Sequence, residues 1–136
     1  MKVTMLLADA AQVSDGKLYI LGGGWSVSSG VTPMAIAMKI EVPWDQTNRG
    51  HAWMLELVTE DGTAAAPASP EGAPPIRVTG QFEVGRPPGL RPGTPLDVPV
   101  AVNVGAFALA PGRYVWRLTV DGETNGDWQV AFTKRE

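Results

Sequence analysis

The sequence predicts an all-β fold: one domain over residues 1–136, built as a two-sheet antiparallel sandwich of about eight strands. Two observations predict it. Apolar and polar side chains alternate with period two along nearly the whole chain, the signature of half-buried strands. Asp15-Gly16, Asp61-Gly62 and Asp121-Gly122 stand between alternating runs and suit the positive backbone angles of tight hairpin turns.

The elements follow in order. A strand is expected near Lys2–Ala8; Met1–Val13 is the one window whose alanines also allow a helix, and strand is preferred. A second run, Lys17–Leu21, is expected to continue through Trp25–Val27. Met34, Ile36, Met38, Ile40 and Val42 then share a face, as do Trp53, Leu55 and Leu57. Val78, Phe82 and Val84 form the next apolar face, and Leu96, Val98, Val100, Val102 and Val104 another. Tyr114, Trp116, Leu118 and Val120 precede the closing run of Trp128, Val130 and Phe132. Pro99 cannot donate a ladder hydrogen bond, so its strand belongs at a sheet edge or carries a bulge. Thr63–Pro75 has the composition of a flexible surface loop, whereas the four prolines of Gly85–Pro95 predict a stiff, extended arm. Stacking two sheets about 10 Å apart buries all these faces together.

Composition narrows the function. With 11 basic and 14 acidic residues the net charge is −3, whereas a nucleic-acid binder usually carries a basic excess. The absence of cysteine excludes a disulfide scaffold, thiolate zinc sites and a cysteine nucleophile, and the single histidine excludes a multi-histidine metal centre. The apolar run Met5–Ala8 is too short for a signal peptide and Asp9 interrupts it. No stretch nears the ~20 apolar residues of a spanning helix. A cytoplasmic protein without membrane or nucleic-acid partners is therefore expected.

The segment Leu109-Ala110-Pro111-Gly112-Arg113-Tyr114 resembles the corner of immunoglobulin and fibronectin type III Greek keys, where a tyrosine hydroxyl bonds back to the chain upstream. That resemblance implies a Greek-key sandwich with Tyr114–Val120 and Gly126–Thr133 as its last two strands. On a larger scale, LLADAAQVSDGKLYILGGGW, VPWDQTNRGHAWMLELVTEDG and PGRYVWRLTVDGE resemble an uncharacterised family of small bacterial proteins, common in actinobacteria. The likeness implies a small, non-secreted β-sandwich and carries no activity, so no functional residue transfers from it.

Candidate sites are few. Gly22-Gly23-Gly24 lacks the following helix and lysine of a phosphate loop and fits a bend where the chain crosses between sheets. Asp121–Asp127 superficially imitates a calcium loop; Phe132 stands where an EF-hand needs glutamate, leaving only a looser cage with Asp45, Glu60 or Asp61. His51 beside Asp45 or a serine is the one candidate general base, but no G-x-S-x-G segment accompanies it. Of the five tryptophans, Trp53, Trp116 and Trp128 are in phase with the core. Trp44 opens a polar loop with Asp45, Gln46, Asn48 and Arg49, suited either to stacking on a ligand or to capping one end of the sandwich.

Ala35, Ala37, Met54, Val58, Ala101 and Asn103 put small or apolar groups where water is expected. Such a face invites cover by a second chain or by the Thr63–Pro75 loop. The sequence thus favours a non-enzymatic assembly or binding module, without cofactor or metal, that associates with itself or another protein through edge strands or the small-residue face. Its candidate contact residues are Trp44, Asp45, Asn48, Arg49, Arg86, Leu90 and Arg91. The alternative is a carbohydrate- or calcium-binding module using loops at one end.

Overall fold

The computed structural model describes all residues 1–136 and contains ten strands rather than about eight. They are β1 (Lys2–Ala8), β2 (Ala10–Ser14), β3 (Lys17–Leu21), β4 (Val27–Ser29), β5 (Met34–Val42), β6 (Gly50–Thr59), β7 (Arg77–Glu83), β8 (Leu96–Gly105), β9 (Gly112–Val120) and β10 (Glu123–Arg135). A three-stranded sheet, β1-β5-β8, faces a five-stranded sheet, β4-β10-β9-β6-β7; β2 and β3 form a separate hairpin. Pairing is antiparallel except where β4 lies parallel to β10. The opening window is two strands and no helix.

The main core lies between the large sheets. Met34, Ile36 and Met38 of β5 meet Trp53, Leu55 and Leu57 of β6 and Trp116 and Leu118 of β9. Trp116 is fully buried, and its Nε1–H donates to the Met34 sulfur at 3.1 Å. A buried indole withdraws on the order of 200 Å² from water, worth about 5 kcal/mol at ~25 cal/mol per Å². Trp53 lies over Gly80, its cross-strand partner, where any Cβ would collide with the ring. The missing side chain of β7 is thereby replaced by a neighbour's aromatic ring.

Two Asp-Gly pairs form the expected turns: Asp15 and Gly16 have φ of 54° and 70°, Asp121 and Gly122 of 52° and 80°. These are two-residue hairpin turns with positive φ at both central positions. At Asp61-Gly62 only the glycine turns left-handed, and the chain returns as a short stub bridging Ala64 to Val58 before the loop begins. Ala65 is buried there, its N–H bonded to the Leu57 carbonyl at 2.9 Å, so the Thr63–Pro75 loop is anchored at its start. The Gly85–Pro95 arm is not extended throughout. Gly89 and Gly93, each after a proline, have φ of 90° and 92°, and fold it through two Pro-Gly turns. Pro99 lies on β8, an edge strand, as its missing donor requires. The Tyr114 hydroxyl donates to the Ala110 carbonyl at 2.6 Å, closing the predicted corner.

The small residues do not form one face. Met54 and Val58 lie on β6 in the five-stranded sheet, where Val58 is bridged by Ala64. The β5 and β8 members have a cover different from either one expected. Ala8, Ala35 and Ala37 form a second cluster with Ala11, and Leu6, Leu18 and Ala101 pack against it. The β2–β3 hairpin thus lies on the outside of the three-stranded sheet as a third layer. A second copy cannot occupy that face, because the chain already fills it. Alanine on β5 lets the hairpin approach closely, and one polar clasp sets its position. The Asn103 amide accepts from the Ala11 N–H at 3.1 Å and donates to the Ala11 carbonyl at 2.8 Å, standing in for a neighbouring strand.

β3 pairs only with β2, whereas β4 joins the five-stranded sheet beside β10, so Lys17–Leu21 does not continue through Trp25–Val27. The chain breaks at Gly22-Gly23-Gly24 and crosses over. A Cβ on Gly22, whose φ is 60°, would overlap the Asp9 carboxylate, and one on Gly23 would overlap Ile20. The Gly24 N–H then reaches the Leu7 carbonyl at 2.7 Å. Close backbone approach explains the glycines.

Replacing Asn103 by Ala is expected to lower stability by about 1–3 kcal/mol, since it leaves the N–H and C=O of buried Ala11 without their side-chain partner. Hydrogen exchange in β2 and β3 should quicken while β5 stays protected. Asn103→Asp, which loses the donor, should not restore the hairpin; equal exchange in wild type and both variants contradicts the clasp.

Candidate functional site

The polar groups converge at one end of the sandwich, where the β5–β6 and β7–β8 connections meet the β9–β10 turn. Trp44–Gln46 forms one 3₁₀ turn after Pro43. The Thr47 hydroxyl is buried and donates to the Trp44 carbonyl at 2.7 Å. Asn48 adopts φ of 60°, and its N–H bonds the Val84 carbonyl at 2.8 Å, tying this turn to the root of the proline-rich arm.

Arg86 completes that tie. Its guanidinium lies 4.2 Å from the centre of the Trp44 ring and donates through Nη2 to the Trp44 carbonyl at 2.6 Å. Its Nε donates to the Thr47 hydroxyl at 2.7 Å. A planar cation over an indole with two further hydrogen bonds is a strut between loops. One face of Trp44 is therefore occupied. Beside the turn, Trp44, Pro43 and Asp45 join Lys2, Glu41 and Pro95 around an open groove of about 660 Å³.

His51 occupies the adjoining corner and is buried. Its ring stacks on Phe82 with centroids 5.1 Å apart. Nδ1 lies 2.6 Å from Asp121 Oδ2, and Nε2 lies 2.8 Å from the Gln46 carbonyl. Each ring nitrogen thus faces a protein oxygen, so neither is open to a substrate. The second Asp121 oxygen accepts from the Ala52 N–H at 2.9 Å. The His51 hydrogen bond, then the Ala52 amide, hold the Asp121 carboxyl below its usual 3.8; the nearby charge of Arg49 adds a smaller pull.

Of the sequence-predicted residues, Trp44, Asp45, Asn48 and Arg86 are brought together at this end, and Arg49 flanks Asp121. Leu90 and Arg91 are exposed on the proline-rich arm and make no side-chain contact with the Trp44 turn; the Arg91 carbonyl caps Thr94 at 2.6 Å. Asp45 does not pair with His51, as a general base would have required; Asp121 does. Glu60 and Asp61 lie at the far end of β6, so they cannot join Asp45 and Asp121 in a calcium cage. No three acidic or histidine side chains cluster as metal ligands.

The His51–Asp121 pair, the Gln46 carbonyl and Thr47 escaped sequence reasoning. One signal was present: His51 stands two residues before Trp53, in phase with Leu55 and Leu57, which places it on the inward face.

Because Asp121 has a lowered folded pKa, its stabilising contribution is present above 3.8 and is lost as pH falls through the folded value. An NMR titration of a His51→Ala variant should show the Asp121 carboxyl moving up toward 3.8. An unchanged midpoint would show that His51 is not its main partner.

No helix is long and apolar enough to cross a membrane. A comparison with curated proteins finds no match. The fold and the clamped loop end coincide with a family-model match over residues 3–132, so the chain belongs to the family of unknown function DUF6941.

Proposed function

We propose that this chain is a non-enzymatic assembly module, a Greek-key sandwich of the immunoglobulin and fibronectin type III kind that associates with copies of itself through sheet edges in the cytoplasm. The strand arrangement supports the Greek key: consecutive strands β5 and β6 lie in opposite sheets, β8 returns beside β5, and a tyrosine corner precedes β9. The split between β1 in one sheet and β4, parallel to β10, in the other supports it further.

The observation that carries the assembly role is where unsatisfied bonding capacity lies. At the clamped end the buried His51 and the groups around it are engaged by the fold. Both His51 nitrogens, both Asp121 oxygens and the Nε and Nη2 of Arg86 have protein partners, while the Asp45, Asn48 and Arg49 side chains make no hydrogen bond. Outer strands of all three sheets, by contrast, present main-chain edges without a neighbouring strand. Such edges are templates for β-addition.

A second reading, a ligand-binding module of the carbohydrate type, is favoured by the groove beside Trp44. Freeing the indole by Arg86→Ala should then strengthen sugar-dependent shifts in melting temperature. Under the assembly role, no glycan in a melting screen shifts either protein.

Light scattering of the purified chain should give a mass above one protomer at micromolar concentration. A strictly monomeric mass across that range contradicts the assembly role.

A further inference from the structure

The open edges differ in how well they are guarded, and β3 combines few guards with the most exposed apolar surface. Edge strands normally block unwanted pairing with charges, proline, bulges or brevity. β7 has Arg77 and Glu83, β8 has Asp97 and Pro99, and β4 is only three residues long; β1 has only Lys2 at its start, like β3, but exposes no large apolar residue. On β2 the main-chain groups of Ala11 are already held by Asn103. β3 has none of these devices beyond its first residue, Lys17.

Its surroundings are equally bare. No charged residue occurs between Lys17 and Lys39, although much of that stretch lies at the surface. It holds all the large exposed apolar residues of the chain except Val13 and Leu90. Tyr19 is 54% exposed and Leu21 71%.

The hairpin turn fixes which β3 groups face outward. Ser14 and Lys17 flank the two-residue Asp15-Gly16 turn and form its closing hydrogen-bonded pair. Alternation then places Gln12–Tyr19 and Ala10–Leu21 as hydrogen-bonded pairs, leaving the N–H and C=O of Leu18 and Ile20 directed away from β2. Two such groups, separated by one residue, are what a symmetric antiparallel junction needs.

We propose that two copies of this chain join edge to edge along β3, antiparallel about a two-fold axis at Tyr19, so that two hairpins become one four-stranded sheet. Leu18 of each copy exchanges both main-chain hydrogen bonds with Ile20 of the other, and the two Tyr19 residues face each other as the central non-hydrogen-bonded pair. The surface suits itself as a partner. It is uncharged through the middle, so no like charges meet, and Lys17 of each copy lies at the end of the junction bearing Asp9 of the other. Neither ion has a partner within its own chain. This inference rests on the self-association proposed above and assigns it to one strand.

Site-specific crosslinking tests the assignment, because the chain has no cysteine of its own. Cα atoms of a non-hydrogen-bonded antiparallel pair stand about 4.5 Å apart, within disulfide reach. A Tyr19→Cys variant of the full chain, mildly oxidised at micromolar concentration, should become almost entirely a covalent dimer. Gln81→Cys, exposed on the β7 edge, should stay uncrosslinked. Tyr19→Lys should remain folded by circular dichroism and return to one-chain mass. A wild-type oligomer that crosslinks through position 81, or through neither position, overturns the β3 junction and leaves self-association standing. A monomeric wild type that crosslinks at neither position overturns both.

Discussion

β5 is buried on both faces over Met34–Met38, and the rest of the molecule is arranged around that constraint. Its odd and even positions answer to different neighbours: Ile36, Met38 and Ile40 face the five-stranded sheet, whereas Ala35 and Ala37 face the hairpin. A strand enclosed in this way cannot slip by one residue, since a slip would drive isoleucine and methionine into a space sized for alanine. Register then propagates outward. β1 and β8 take their alignment from β5, bringing Ala8 and Asn103 to the two sides of Ala35 and Leu6 and Ala101 to the two sides of Ala37. Three layers result from a sequence whose strands individually ask for only two.

The clamped end of the sandwich obeys a related economy. Connections between sheets must cover polar main-chain groups where the ladders stop. Here Arg86, Thr47 and Asn48 join two loops, and His51 joins the Gln46 carbonyl to the β9–β10 turn through Asp121. Residue types usually suspected of chemistry are used as struts. The ring nitrogens of His51 and both carboxylate oxygens of Asp121 are held by protein partners. Main-chain hydrogen bonding along the sheet edges is left open.

Much of this was legible in local sequence. Two Asp-Gly turns, the Tyr114 corner, the edge position of Pro99 and the inward tryptophans of β6 and β9 each follow from chemistry within a few residues. The third layer was harder to read. Ala35 and Ala37 signalled that the outer face is covered, but a small side chain specifies the space left for a neighbour and not which neighbour fills it. Gly22-Gly23-Gly24 marks a crossing between sheets, as its residues suggest, but the expected continuation of Lys17–Leu21 through Trp25–Val27 hid the separate hairpin. His51 and Asp121 lie 70 residues apart, and nothing local links them. The proline-rich arm misled through its glycines: proline stiffens a chain, yet Pro-Gly pairs turn it.

Residue-resolved hydrogen exchange of the native protein tests the three-layer account most directly. If β5 is enclosed by both partners, its amides should exchange only through global unfolding and be the slowest in the molecule, with β2 and β3 opening earlier. Exchange in β5 as fast as in the hairpin would mean that one of its faces meets water, and the layered arrangement would be wrong.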